Sequence, residues 1–190
     1  MPAAPWWIGE RVQVTTTSPG RTEVALRPVR VADSDALFHW INNRVLVSLS
    51  AAFRPVTRAQ HDTWFAGILA ADATRSFFMI ERSSDGLAVG SCQLLSIHPV
   101  HRSAILQIRL GESFARDQGY GTEAVMQLVR FGFDRLGLHR IGLEVFATNM
   151  RAMRAYEKAG FVVEGRLQEA AWIEGKFVDI ICMGLLNDRP

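Results

Sequence analysis

An alternating strand pattern, a glycine-rich loop and an apolar helix pattern follow one another near the middle of this chain. In RSAILQIRL (102–110), the side chains of Ala104, Leu106, Ile108 and Leu110 share one face, and those of Ile105, Gln107 and Arg109 share the other. This alternation predicts a strand with one buried face. The loop RDQGYGTEA (116–124) then leads into TEAVMQLVRFGFDRLG (122–137), whose apolar residues recur at helical spacing up to Gly137. We therefore expect a strand joined directly to a helix by a loop with two glycines.

This loop has the chemistry of an anion site. A helix that begins at Gly121 or Thr122 leaves its first amide groups without partners in the helix, and the helix dipole adds positive charge there. Gly119 and Gly121 have no β-carbon, so a phosphate can approach their backbone closely. The loop is neither GxxxxGK[ST] nor GxGxxG. From its residues alone, a simple turn and a phosphate-binding loop are both open.

The order of the remaining patterns indicates the fold class. One strand, two helices and three strands lead up to the loop and its helix, and a strand, a short helix and two strands follow. Asp33 and Thr57 stand where the first two helices would be capped. We expect a mixed α/β fold of the α+β type: a central, twisted, mostly antiparallel sheet of about seven strands flanked by about four helices.

Composition excludes several classes of protein. The chain has 190 residues and no linker or repeat, so we expect a single domain over 1–190, with 1–22 as a lead-in segment. A formal net charge of +2 is not that of a nucleic-acid-binding protein. The sequence has no signal peptide and no long apolar run, which predicts no membrane partner. With only two cysteines, a cytoplasmic location fits best.

We expect no metal site. His98 and His101 form the one pair that could suggest a metal, and no acidic or cysteine residues cluster near them in the sequence. A turn that ends a strand explains the two histidines more simply.

Two segments carry a resemblance to a known family. Arg116-x-x-Gly119-x-Gly121 resembles the Gln/Arg-x-x-Gly-x-Gly/Ala loop of the GNAT superfamily of acetyl-CoA-dependent N-acetyltransferases. Downstream, Asn149…Ala152…Tyr156-Glu-Lys-Ala-Gly-Phe resembles the Asn…Ala…Tyr-Glu-Lys-x-Gly-Phe segment of the same superfamily. The ending EGRLQEAAWIEGKFVDIICMGLL (164–186) is similar to the branch that acetylates ribosomal-protein N-termini. The resemblance covers about residues 24–186.

The resemblance implies acetyl-CoA as cosubstrate. Arg116 and the loop amides of Gln118, Gly119, Tyr120, Gly121 and Thr122 would hold the coenzyme's pyrophosphate. The pantetheine arm would lie where the strands at 102–111 and 139–147 separate. Asn149 would contact that arm, although a helix cap explains it as well.

It also implies the partners. The acceptor would be a small-molecule or peptide amine: a protein N-terminus, an amino sugar, a polyamine or an amino-bearing antibiotic. An acyl-CoA-binding module without turnover remains the alternative. We expect a monomer or a homodimer.

Tyr156 is the candidate general acid for the departing thiolate, since it lies seven residues after Asn149 and projects from nearly the same helix face. Packing on the sheet, with the hydroxyl satisfied by backbone, is its structural alternative.

The general base is left open. Relatives in this branch carry Ala-Glu-(Leu/Ile)-Gly on the strand before the loop, whereas this chain has Ala-Ile105-Leu-Gln107. Glu112 and Glu144 are the candidate bases, and Glu144 has apolar neighbours that could desolvate it and raise its pKa. Glu164, Asp179 and relayed water are further alternatives.

Overall fold

Seven strands form one sheet in the order β1-β2-β3-β4-β5-β7-β6. The computed structural model describes residues 23–70 and 72–188, so the predicted lead-in at 1–22 lies outside the described residues. The strands are β1 (Val24–Pro28), β2 (Ser76–Arg82), β3 (Ala88–His98), β4 (Ser103–Leu110), β5 (Arg140–Phe146), β6 (Val162–Ile173) and β7 (Lys176–Leu186). The predicted mixed, mostly antiparallel sheet is confirmed.

The described residues form five α-helices, one more than expected. They are α1 (Ser34–Ile41), α2 (Arg44–Val47), α3 (Arg58–Leu69), α4 (Tyr120–Asp134) and α5 (Met150–Lys158). The additional helix, α2, has four residues, which is too short to show a helical period in the sequence. The Asn43 side chain caps it by accepting a hydrogen bond from the Leu46 amide at 3.2 Å.

The junction between β4 and β5 differs from every other pairing in the sheet. These two strands are parallel, and they pair over only three positions, from Ser103–Arg140 to Ile105–Gly142. The other five neighbouring pairs are antiparallel. Because β4 stays paired with β3 as far as Leu110, β4 and β5 separate beyond Ile105 and leave an opening in the sheet.

Helices cover both faces of the sheet, and the alternation of β2 shows this directly. Phe78 and Ile80 pack in the larger core cluster with residues of α4 and α5, including Leu128 and Tyr156. Met79, between them in the chain, packs on the opposite face with residues of α1, α2 and α3. The opening between β4 and β5 therefore lies between two layers of helices.

The two predicted helix caps had different outcomes. Thr57 caps α3, and with Gln60 it forms a reciprocal capping box, as expected. Asp33 precedes α1 but makes no capping bond to it. Its carboxylate instead accepts hydrogen bonds from the Arg27 guanidinium at 2.7 and 2.8 Å. A buried ion pair therefore competes successfully with the cap at this position.

The end of β4 is fixed to α1 by a tryptophan. The buried Trp40 indole donates a hydrogen bond from Nε1 to Oε1 of Glu112 at 3.0 Å. Its ring lies so close to Gly111 that a β-carbon there would be 2.0 Å from Cε2 of Trp40. Only a glycine fits between the ring and the strand end.

We predict that Gly111→Ala destabilises the fold by about 1–3 kcal/mol, because the added methyl forces the Trp40 ring away from the strand end. The free energy of unfolding from chemical denaturation measures this effect. Gly67→Ala is the matched control, since Gly67 lies within α3 and a β-carbon there has nothing within 4 Å. It should stabilise the protein by roughly 0.5–1 kcal/mol. A Gly111→Ala variant as stable as the wild type would contradict the proposed close fit.

Candidate active site

A cavity of about 680 Å³ opens where β4 and β5 separate. The start of α4 and one side of α5 form part of its wall, and the segment after α2 closes it on the other face of the sheet. Most of the predicted phosphate-binding residues, the candidate acid Tyr156 and the candidate base Glu144 line this cavity.

The start of α4 presents free amide groups to the cavity. The first hydrogen bond of the helix runs from the Glu123 amide to the Gly119 carbonyl at 3.0 Å, so the amides of Tyr120, Gly121 and Thr122 have no partner in the helix. No side chain caps them. Gly119 has a φ of +83°, which a glycine adopts without strain. The helix begins at Tyr120, one residue before the expected start.

Most of the predicted coenzyme-binding residues line the cavity. Arg116, Gly119, Gly121 and Thr122 do so. Gln118 and Tyr120 are outside the lining, and Tyr120 packs against the core instead.

Basic side chains surround this part of the cavity. Arg116, Arg151, Arg154 and Lys158 all line it. Arg151 lies 3.5 Å from the carboxylate of Asp117, which has a φ of +61° in the loop before α4. The free amides and these cations together make this end of the cavity favourable for phosphate groups.

Asn149 makes hydrogen bonds to the protein through both ends of its side-chain amide. Its Oδ1 accepts a hydrogen bond from the Ala152 amide at 3.2 Å, which caps α5 as the sequence predicted. Its Nδ2 donates to the Leu49 carbonyl at 3.1 Å. Asn149 thereby ties α5 to the segment after α2 across the cavity, a connection that the sequence did not indicate.

Tyr156 lies at the inner wall of the cavity. The residue is 7% exposed, and its ring packs at an angle against Phe161 at 6.0 Å. Its hydroxyl makes no hydrogen bond to any residue that the structure describes. Burial raises the pKa of Tyr156 to about 12, which keeps the phenol neutral and able to donate a proton.

The two candidate bases have different environments. Glu144 lines the cavity but is exposed, so the expected shielding by its apolar neighbours is not observed. Its side chain is on the opposite face of β5 from Leu143 and Val145, which face the core. Glu112 is held by the Trp40 indole and is not part of the cavity lining.

The other two acids considered from the sequence are paired elsewhere. Glu164 forms an ion pair with Arg140, and Asp179 forms one with Arg166. Neither of them lines the cavity.

The outer face of β4 contributes a residue whose role the sequence did not indicate. Ile105 is 41% exposed, and Gln107 accepts a hydrogen bond from Gln93 at 3.0 Å. Arg109, two positions further along, lines the cavity and contacts the Ser50 hydroxyl at 3.5 Å. The sequence did contain one signal for this residue. Arg109 is charged, and it stands between Ile108 and Leu110, two positions that the alternation of β4 places on the buried face.

Two further features concern the described residues only. No group of three or more His, Cys, Asp or Glu side chains that could hold a metal ion occurs among them. His98 and His101 stack on each other, and the His101 amide donates to Nδ1 of His98. Within the same residues, no helix is both long and apolar enough to span a membrane.

Comparison with known proteins identifies relatives of this chain. The model of the acetyltransferase (GNAT) domain family matches residues 23–162. Spermidine N(1)-acetyltransferase from Vibrio cholerae is 32% identical over 112 residues, or 59% of this chain and 64% of that protein. The match thus spans less than two thirds of the relative's own length. A putative ribosomal N-acetyltransferase from Bacillus subtilis is 26% identical over 54% of this chain and 56% of its own length.

Solved structures extend the likeness to the whole fold. The Vibrio cholerae spermidine N-acetyltransferase in complex with CoA and spermine superposes with a TM-score of 0.80 at 26% identity, covering 87% of this chain and 96% of that one. Another structure of that enzyme is dodecameric, which does not support the expectation of a monomer or a homodimer. Since the family model matches most of the sequence and the fold agrees over the 87% of the chain that superposes, this chain belongs to the GNAT acetyltransferase family.

Proposed function

We propose that this protein is an N-acetyltransferase that moves the acetyl group of acetyl-CoA to a primary amine by direct attack. The observation that carries the proposal is the set of free amides at the start of α4, which open into the same cavity as Tyr156. A phosphate-binding end and a proton donor thus share one cavity. The relative crystallised with CoA and spermine supports this assignment.

The coenzyme would bind at the start of α4 with its pyrophosphate and along the free edge of β4 with its pantetheine arm. Its pyrophosphate would accept hydrogen bonds from the free amides of Gly121 and Thr122, which line the cavity where the helix dipole favours negative charge. Beyond Ile105, the edge of β4 that faces the opening has no pairing strand. The amides of the pantetheine arm can pair with such an edge as an added strand does. The thioester would then lie beside Tyr156.

The reaction needs one bond formed, one broken and one proton moved. The nitrogen lone pair of the neutral amine attacks the carbonyl carbon, the carbon–sulfur bond breaks, and the nitrogen loses a proton as the sulfur gains one. Tyr156 would donate a hydrogen bond to the sulfur as negative charge develops on it. Its raised pKa keeps the donor proton in place at neutral pH.

Deprotonation of the amine would involve Glu144 or relayed water. Glu144 is the acid of β5 that lines the cavity, on the strand across the opening from β4. Its exposure makes it an acceptor for an ammonium ion as readily as a base. Glu112 is a poorer candidate, because its carboxylate already binds Trp40.

The names of the relatives favour an amine acceptor, and both a polyamine and a peptide N-terminus are candidates. One observation favours a second function, an acyl-CoA-binding module without turnover. Ile105 occupies the β4 position where relatives in the resembling branch carry a glutamate, so that strand supplies no carboxylate to the cavity.

Calorimetry with acetyl-CoA, combined with release of free thiol across a panel of amines, tests the proposal. We expect coenzyme binding and thiol release that depends on the acceptor. Binding without acceptor-dependent thiol release from any amine would support the binding module. Absence of coenzyme binding would overturn both functions.

We predict that Thr122→Asp lowers the affinity for coenzyme A at least about tenfold, because it places a carboxylate among the amides that would hold the pyrophosphate. An acid in the first turn stabilises a helix, so the melting temperature should not fall. Thr122→Asn has the same shape without the charge and is the matched control. Equal affinities of the Asp and Asn variants in calorimetry would argue against phosphate binding here.

We predict that Tyr156→Phe lowers kcat by about 10²-fold, because the variant loses the donor to the sulfur. The dissociation constant of acetyl-CoA should stay within about threefold of the wild-type value, since the phosphate end is untouched. Steady-state kinetics and calorimetry on the same preparation separate the two effects. Unchanged turnover would remove Tyr156 from the mechanism.

A further inference from the structure

Arg109 is a cation in the cavity lining that has no charged partner among the described residues. Its side chain makes one hydrogen bond to a described residue, in which it donates to the Ser50 hydroxyl at 3.5 Å. It forms no ion pair with any described residue. Its Nε is shielded from solvent and has no hydrogen-bond acceptor in the part of the chain that the structure describes. Burial lowers the pKa of Arg109, yet a guanidinium stays protonated at neutral pH. A cation that is shielded from water and has no counter-charge raises the free energy of the unliganded protein. An anionic ligand that pairs with the cation lowers that free energy.

The position of Arg109 separates it from the phosphate end. Ile108 and Leu110, its neighbours on β4, pack in the core cluster together with residues of α4. Because side chains alternate along a strand, Arg109 projects to the opposite face of the sheet. There it meets Ser50, in the segment that follows α2. We therefore expect an anion bound by Arg109 to belong to the acceptor and not to be the coenzyme's pyrophosphate.

The distribution of charge in the cavity does not suit a polycation. Five cationic and two acidic side chains line it. One of the acids, Asp117, is paired with Arg151. Glu144 is the other, and it forms no ion pair with a described residue. Among the described residues, a polyamine would find one free carboxylate in the cavity, that of Glu144, and a cation on the facing strand, Arg109.

Arg109 and Glu144 lie on the same face of the sheet. Arg109 is on β4 and Glu144 on β5, the two strands that separate, and both project away from the α4 core. We propose that the acceptor is an amine that also carries a carboxylate, with the carboxylate bound by Arg109 and the amine on the side of Glu144. The planar guanidinium matches a carboxylate with two parallel hydrogen bonds. This inference rests on the proposed acetyl transfer and names the acceptor class of the same site.

The first test needs no variant. Thiol release from acetyl-CoA is measured with ω-amino acids from glycine to aminohexanoate, and each is paired with the n-alkylamine in which a methyl replaces the carboxylate. Putrescine and spermidine complete the panel. We expect kcat/KM for the best amino acid to exceed that of its matched alkylamine at least about tenfold. Better turnover of alkylamines or polyamines would overturn the proposal while leaving acetyl transfer intact. No turnover of any amine would count against acetyl transfer itself.

A second pair of substrates distinguishes the source of the carboxylate. A short peptide that begins with aspartate is compared with the same peptide beginning with asparagine. Preference for the aspartyl peptide over all free amino acids would assign a peptide acceptor, and the reverse order would assign a small molecule. If neither a free amino acid nor the aspartyl peptide exceeds its uncharged partner, the proposal is wrong.

Arg109→Gln tests the residue itself. We expect it to raise KM for the carboxylated acceptor by a factor at least about tenfold larger than the factor by which it raises KM for the matched alkylamine. Arg109→Lys keeps the charge without the planar fork and should retain part of the preference. Arg130→Gln, on the exposed side of α4 and outside the cavity lining, is the matched control for loss of one positive charge.

The same variant can contradict the assignment. If Arg109→Gln weakens acetyl-CoA binding in calorimetry and lowers kcat/KM equally for every acceptor, Arg109 belongs to the coenzyme site and the proposal fails. Should Arg109→Gln fail to fold, the Lys variant and the wild-type substrate panel still decide the question.

Discussion

The short parallel pairing of β4 with β5 is the constraint on which the site depends. The two strands hold together over three positions only, and each is then kept in the sheet by its other neighbour. Separation leaves one edge of each strand without hydrogen-bond partners inside the fold. Unpaired strand edges within a protein need a partner, and an extended ligand with amide groups can supply it. The opening also brings the start of α4 and the side of α5 to one cavity.

Two contacts hold the cavity's walls in place. Trp40 fixes α1 to the end of β4 through Gly111 and Glu112. Asn149 joins α5 to the segment after α2, because its side chain caps the helix and also donates to Leu49. Glu112 had been a candidate base in the sequence, whereas for Asn149 the sequence suggested both a coenzyme contact and the helix cap that the structure shows. In the structure, both polar groups position elements around the cavity.

Much of the fold followed from the sequence because its signals are local. Alternation identified β4, and Thr57 and Asn149 identified the starts of α3 and α5. The short helix α2 was missed because four residues show no period. Asp33 was taken for a cap because Arg27, which binds it instead, approaches only in the folded sheet. Of the loop residues that the pattern predicted, Arg116, Gly119, Gly121 and Thr122 line the cavity. The role of Arg109 was not predicted, since a lack of partners is a property of three-dimensional packing.

The outer face of β4 bears on where the amine loses its proton. Ile105 is apolar, Gln107 is held by Gln93, and Arg109 is a cation, so this face supplies no base. A nearby cation lowers the pKa of an ammonium group and so favours the neutral amine that must attack. Arg109 could therefore assist deprotonation by charge alone, with Glu144 or solvent as proton acceptor. On this account, a chain that has Ile105 in place of the strand glutamate can still make the amine neutral. The positive charge of Arg109 favours loss of the proton, and no carboxylate on β4 is needed to remove it. A carboxylate bound at Arg109 would weaken that effect, so binding of the acceptor and activation of its amine oppose each other at this residue.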